Sequence, residues 1–104
     1  KEVTIIGDHA FRGCVNLKEI NLHDSSLEVI DVQAFDGCLS LDVVKLPPSL
    51  KTINPYAFFG CESLTIINLS ICPLLEEINY CAFYGCTSLT VAYFPNALQR
   101  IGDS

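Results

Sequence analysis

Six cysteines stand in 104 residues, and four of them, Cys14, Cys38, Cys61 and Cys86, follow one another at intervals of 24, 23 and 25 residues. Thiols at regular intervals could bind a metal, form disulfides or carry redox chemistry. Zinc ligation by thiolates usually begins with a short Cys-x-x-Cys pair that brings two sulfurs to one ion, and no such pair occurs. In stacked parallel copies, neighbouring cysteines would come within disulfide range, but their side chains would point side by side rather than at each other. Free cysteine behaves as a small apolar filler, so this column reads as core packing. Cys72 and Cys81 lie outside the column and read as two unrelated free thiols, with a Cys72 to Cys81 disulfide as the alternative, which leaves the redox compartment open. Cys81 occupies the place of His9, Gln33 and Tyr56 in the other copies, an outward position. The other chemistry-bearing residues form no constellation. His9 and His23 occupy different parts of one copy and do not recur, and Glu76-Glu77 reads as a solvated edge. Asn68-Leu69-Ser70 matches the glycosylation sequon, a three-residue pattern that arises often by chance. No catalytic residue, cofactor site or metal site is expected.

Each ladder cysteine ends the element Ala-Phe-x-Gly-Cys, and Phe11, Phe35, Phe58 and Phe83 share its spacing. A unit copied at a near-constant period of this length is the mark of a stack. The flanks repeat as well. Three residues after the cysteine comes Leu17, Leu41, Leu64 or Leu89, then Ile20, Val44, Ile67 or Ala92, then Leu22, Leu46, Leu69 or Phe94. A second apolar pair closes each unit: Leu27 with Ile30, Leu50 with Ile53, Leu75 with Ile78, and Leu98 with Ile101. Length varies only between these parts, as in a surface connector. The place just after that second pair holds Gly7, Asp31, Asn54, Asn79 and Gly102, and the residue before each ladder cysteine is glycine. Such residues suit the start of a helix, and a glycine suits its end, so a helical turn of about one turn is expected around each Ala-Phe. The apolar alternation of Ile20 and Leu22, or Val44 and Leu46, predicts a short strand with one buried face. Stacked units would place these strands parallel, spaced by roughly 4.8 Å.

Half of the residues are hydrophobic, which allows a continuous core in a single domain spanning 1–104, with repeats at about 6–29, 30–52, 53–77 and 78–101. Twelve acidic residues against six basic ones give a net charge of −6, and the six cations form no cluster, which disfavours nucleic-acid binding. The apolar runs are far below the ~20 residues needed to cross a bilayer, so no membrane insertion is expected in this segment. The first residues, Lys1-Glu2-Val3-Thr4, lack the pattern of a signal peptide. Neither end carries the polar cap that solenoids need, so a fragment of a longer array is expected, with neighbouring repeats as its partners.

Written as Ile-x-x-x-Ala-Phe-x-Gly-Cys-x-x-Leu-x-x-Ile-x-Leu-(x)n-Leu-x-x-Ile, the chain from Ile6 to Ile101 resembles the BspA-type leucine-rich repeat family. Ala92 with Phe94 is its one departure from the pattern. The resemblance implies a right-handed leucine-rich repeat solenoid of about four repeats, with short parallel strands on one face and short helical turns and extended segments on the other. It also implies recognition of macromolecules, since some relatives are cell-surface adhesins that bind host matrix proteins, and it carries no catalytic residues. The core ladder is then Phe11, Cys14, Phe35, Cys38, Phe58, Cys61, Phe83 and Cys86. Outward positions of the strands form two columns, Glu19, Val43, Ile66, Val91 and Asn21, Lys45, Asn68, Tyr93, which make the expected protein-binding face. Three functional readings stay open: a module of a surface-associated adhesin, an intracellular scaffold, and a spacer without its own ligand.

Overall fold

The computed structural model describes residues 4–79, 81–89, 91–93 and 100–101. Phe94, Leu98 and the connector at 95–97 lie outside them, and residues 91–93 and 100–101 enter only by their strand pairing. The strands are β1 (Ile5–Ile6), β2 (Glu19–Asn21), β3 (Val29–Ile30), β4 (Val43–Lys45), β5 (Thr52–Ile53), β6 (Ile66–Asn68), β7 (Glu77–Ile78), β8 (Val91–Tyr93) and β9 (Arg100–Ile101). Every pairing is parallel.

The longest sheet is the one built from the second extended segment of each unit. It runs β1-β3-β5-β7-β9 through all the copies, whereas the Leu-x-x-Ile-x-Leu strands pair two by two, β2 with β4 and β6 with β8. Within the five-stranded sheet, Ile6, Ile30, Ile53 and Ile78 stand in register and are buried. On the other face Val44 and Ile67 point inward, flanked by exposed residues on either side. Period two along each strand therefore sends alternate side chains to opposite faces.

The core between these faces is a set of identical columns. Phe11, Phe35, Phe58 and Phe83 stack ring on ring, with centroids 5.2, 5.2 and 5.3 Å apart and planes within 4° of parallel. Each buried ring removes its faces from water against the copies above and below, a contact worth roughly 0.5–1.5 kcal/mol beyond its area burial. Leu27, Leu41, Leu50, Leu64 and Leu75 fill the space around the rings and are almost wholly buried. The described residues bury no charged or polar side chain in this core.

The element around each Ala-Phe is not the helical turn expected from its ends. It is a run of turns, and no helix occurs among the described residues. Two features explain the difference. His9, Gln33, Tyr56 and Cys81, two residues after the Gly, Asp or Asn position, adopt φ of +62°, +56°, +61° and +53°, which a right-handed helix cannot contain. The amides then alternate in what they serve. Ala10, Arg12 and Cys14 donate back to Gly7, His9 and Phe11, closing three-residue turns at 3.1–3.2 Å, while His9, Phe11 and Gly13 donate sideways to Val32, Ala34 and Asp36 of the next copy at 2.7–3.0 Å. Half of the turn's hydrogen bonds thus join copies, which an α-helix would have closed on itself. The glycine end is as expected: Gly13, Gly37, Gly60 and Gly85 have φ between +71° and +81°.

The Asp and Asn residues expected as helix caps form a ladder instead. The Asn54 amide donates to Asp31 Oδ1, and the Asn79 amide to Asn54 Oδ1, both at 3.0 Å. Asp31 Oδ1 also accepts from the amide of Val32 at 2.8 Å.

Candidate functional site

The cysteine column sits inside the stack, and its thiols have an architectural task. The Sγ of Cys38, Cys61 and Cys86 donates to the carbonyl of Phe11, Phe35 and Phe58 respectively, one copy back, at 3.1, 3.2 and 3.1 Å. Each thiol therefore adds a second bond to a carbonyl that already accepts from the amide of Cys14, Cys38 or Cys61 in its own turn, and so ties one copy to the one before. Burial pushes the Cys38 thiol up to about 11, from an ordinary 9.0. Cys61 is also held up, by its contact with the Cys86 thiol first and by burial second. Such groups stay protonated at neutral pH and make poor nucleophiles and poor metal ligands.

All six cysteines are free, Cys72 and Cys81 among them. Cys72 lies in the longest connector, yet it is fully buried, and its Sγ donates to the Pro47 carbonyl at 3.3 Å. Desolvation raises it to about 11 as well. Cys81 is half-buried on the turn side. Among the described residues no group of His, Cys, Asp and Glu could hold a metal ion. His9 pairs with Asp8 at 3.0 Å and bonds to Gln33, and His23 meets Asp24 at 3.2 Å, all on the surface. Glu76 is exposed and Glu77 half-buried on β7. Asn68 is exposed on β6, where its Oδ1 accepts from the amide and hydroxyl of Ser70.

Of the two outward columns, Glu19, Asn21, Val43, Lys45, Ile66 and Asn68 are exposed, and Val91 and Tyr93 are placed by strand pairing alone. Glu19 and Asn21 pair in register with Val43 and Lys45, and Ile66 and Asn68 with Val91 and Tyr93. Val43 is 38% exposed and Ile66 51%, while their strand neighbours Val44 and Ile67 keep only 8% and 1%. Two β-branched side chains therefore stand in water in successive copies, flanked by the polar Glu19, Asn21, Lys45 and Asn68. Beside them runs an open depression of about 500 Å³, which shares Glu19 and Val43 with the face. Ser40, Ser63 and Ser88 line it as well, with Lys18 and Asp42. The surface offers shape, apolar contact and hydrogen bonds.

A second surface group is aromatic, with Tyr84 exposed and Tyr56 and Phe59 half-buried. On the turn side, Tyr56 meets Phe59 edge to face, at 5.3 Å and 73°, and Phe59 stacks on Tyr84 at 5.6 Å and 10°. The signal was present in the alignment, since Arg12, Asp36, Phe59 and Tyr84 form one column and His9, Gln33, Tyr56 and Cys81 another.

The family model of the BspA type leucine rich repeat region (6 copies) matches residues 1–104. No curated protein matches. Among solved structures, the chain is similar to a leucine-rich repeat protein from Bacteroides ovatus ATCC 8483, with a TM-score of 0.76 and 35% identity over 95% of this chain. It spans only 30% of that protein's length. The T. pallidum leucine rich repeat protein shares the fold, with a TM-score of 0.56 at 24% identity, over 96% of this chain and 67% of its own. With its stacked phenylalanines, thiol-to-carbonyl ladder and parallel strands matched along the whole sequence, the chain belongs to the BspA-type leucine-rich repeat family, whose leucine-rich repeat solenoid it forms.

Proposed function

We propose that this protein-interaction repeat module works within a surface-associated, adhesin-like protein and meets its partner with the face formed by β2, β4, β6 and β8. The observation that carries this reading is the exposure of Val43 and Ile66 in successive copies, at 38% and 51%, inside a polar frame. Strand positions in water favour such residues only weakly by propensity, and an apolar strip with a polar rim is the anatomy of a recognition surface. Glu19, Asn21, Lys45 and Asn68 supply that rim, and Val91 and Tyr93 extend both columns by register. The family supports protein binding, and its adhesins support an extracellular partner. That the relative from Bacteroides ovatus is much longer supports reading this chain as one stretch of a continuing array.

A solid-phase assay on immobilised extracellular-matrix proteins tests the proposal. The chain should bind at least one of them saturably, and the combined variant Val43→Thr, Ile66→Thr, Val91→Thr should weaken that binding about tenfold or more with its circular dichroism unchanged. No saturable binding, or binding that the variant leaves intact, would overturn the adhesin reading. A second reading, an intracellular scaffold using the same face, is favoured by the six free thiols.

A further inference from the structure

The turn side of the solenoid changes character halfway along. In the first two copies the side chains of His9, Arg12, Gln33 and Asp36 are polar and satisfy one another, while Val15 and Leu39 stand exposed just past the turns. Asp8 pairs with His9 at 3.0 Å, His9 bonds to Gln33, Gln33 donates to Asp36 Oδ2 at 2.7 Å, and Arg12 approaches the same oxygen at 3.8 Å. In the next two copies the same positions hold Tyr56, Phe59 and Tyr84, packed on one another. Tyr84 remains 55% exposed, the largest value of any large apolar side chain described. The backbone beneath the rings is hydrogen-bonded both along the turn and to the next copy. Phe59 and Tyr84 donate back to Tyr56 and Cys81 at 3.1 and 3.2 Å, and the amides of Phe58 and Gly60 donate across to Ala82 and Tyr84 at 2.8 Å.

The basic residues stop near the same boundary. From Thr52 to Gln99 the sequence contains no lysine and no arginine, while it holds Glu62, Glu76 and Glu77. Glu62, three residues after Phe59, is exposed. An aromatic cluster that exposes Tyr84, in a stretch whose only formal charges are carboxylates, is complementary to a cation with a planar, weakly hydrated head. Guanidinium fits both demands, since it stacks on ring faces and pairs with carboxylates. Tyrosine is also the side chain most often found at the energetic centre of protein interfaces, together with tryptophan and arginine. We propose that the turn ridge of the third and fourth copies docks an arginine-bearing peptide segment of a partner protein, at Tyr56, Phe59, Tyr84 and Glu62. This surface is separate from the strand face and does not depend on it.

The test titrates the chain with a synthetic peptide of four arginines spaced by glycine and serine, beside the same peptide with citrulline at each arginine. Calorimetry should show saturable binding of the arginine peptide and at least tenfold weaker binding of the citrulline peptide. Tyr84→Ala should weaken the arginine peptide about tenfold, Tyr84→Phe should retain it, and the strand-face variant with threonine at 43, 66 and 91 should bind it like the wild type. Should Tyr84→Ala lose its fold by circular dichroism, Glu62→Gln takes its place, with a loss of about threefold expected. Equal affinity for the two peptides would overturn the proposal, as would wild-type affinity in the ridge variant or a loss confined to the strand-face variant.

Discussion

Cys38 shows how far one residue type can mislead and how its surroundings settle the matter. Its thiol is shut from water and donates to the Phe11 carbonyl at 3.1 Å. Its proton is held up to about 11, chiefly by burial, and Cys72 is held at about 11 by the same cause. Between pH 9 and 11 an unfolded chain would release these protons while the folded chain keeps them, so the folded state binds more protons there and loses stability as pH rises. The contribution is complete below about pH 9. The urea midpoint should therefore hold steady from pH 7 to 8.5 and fall between 9 and 11, and a Cys72→Ala variant should fall less steeply. A flat profile through pH 11 would contradict the burial of these thiols. Ellman's reagent at pH 8 should reach only the half-buried Cys14, Cys81 and Cys86 in the native protein and all six in urea. The phenylalanines are more sensitive still. Phe35 is wholly buried between two rings, and Phe35→Ala should cost about 3–5 kcal/mol in denaturant unfolding. The ladder was legible from spacing alone. The burial of Cys72 was not, because nothing else recurs at its place in a connector of variable length.

The turn is where sequence and structure part at the level of elements. Gly, Asp or Asn at one end and glycine at the other describe a helix and a run of turns equally well. What decides between them is positive φ at His9, Gln33, Tyr56 and Cys81, four residue types with no common preference for it. At His9 and Gln33 that conformation goes with amides that donate sideways to Val32 and Pro55 of the next copy, a feature of the stack that no single unit encodes. The glycines carry a clearer signal, and they differ from one another. A Cβ on Gly60 would meet nothing within 4 Å, whereas one on Gly85 would lie 3.3 Å from the Gly60 backbone. Gly60→Ala should then cost about 1–2 kcal/mol from left-handed strain alone, and Gly85→Ala measurably more, as read from thermal unfolding. Asn54 joins three copies through its amide, so Asn54→Ala should cost roughly 1–3 kcal/mol, more than removal of an exposed side chain.

Across the whole molecule, repetition makes the fold easy to read and the function hard. The same positions that announce the stack, Ala-Phe-x-Gly-Cys and its apolar flanks, point into the core and are used up in building it. In the proposed reading, specificity falls to residues that vary between copies: Glu19, Val43 and Ile66 on the strands, and the aromatic group on the turns. The strand columns were legible because period two fixes which side chains face out. The turn-side aromatic group needed the fold to show that its rings touch. Recognition on the strand face is the central claim, and amide chemical-shift mapping of the chain saturated with a bound matrix protein fragment tests it most directly. Perturbations should concentrate at Glu19–Asn21, Val43–Lys45 and Ile66–Asn68 and spare β3, β5 and β7, whereas shifts centred on those three strands would contradict it.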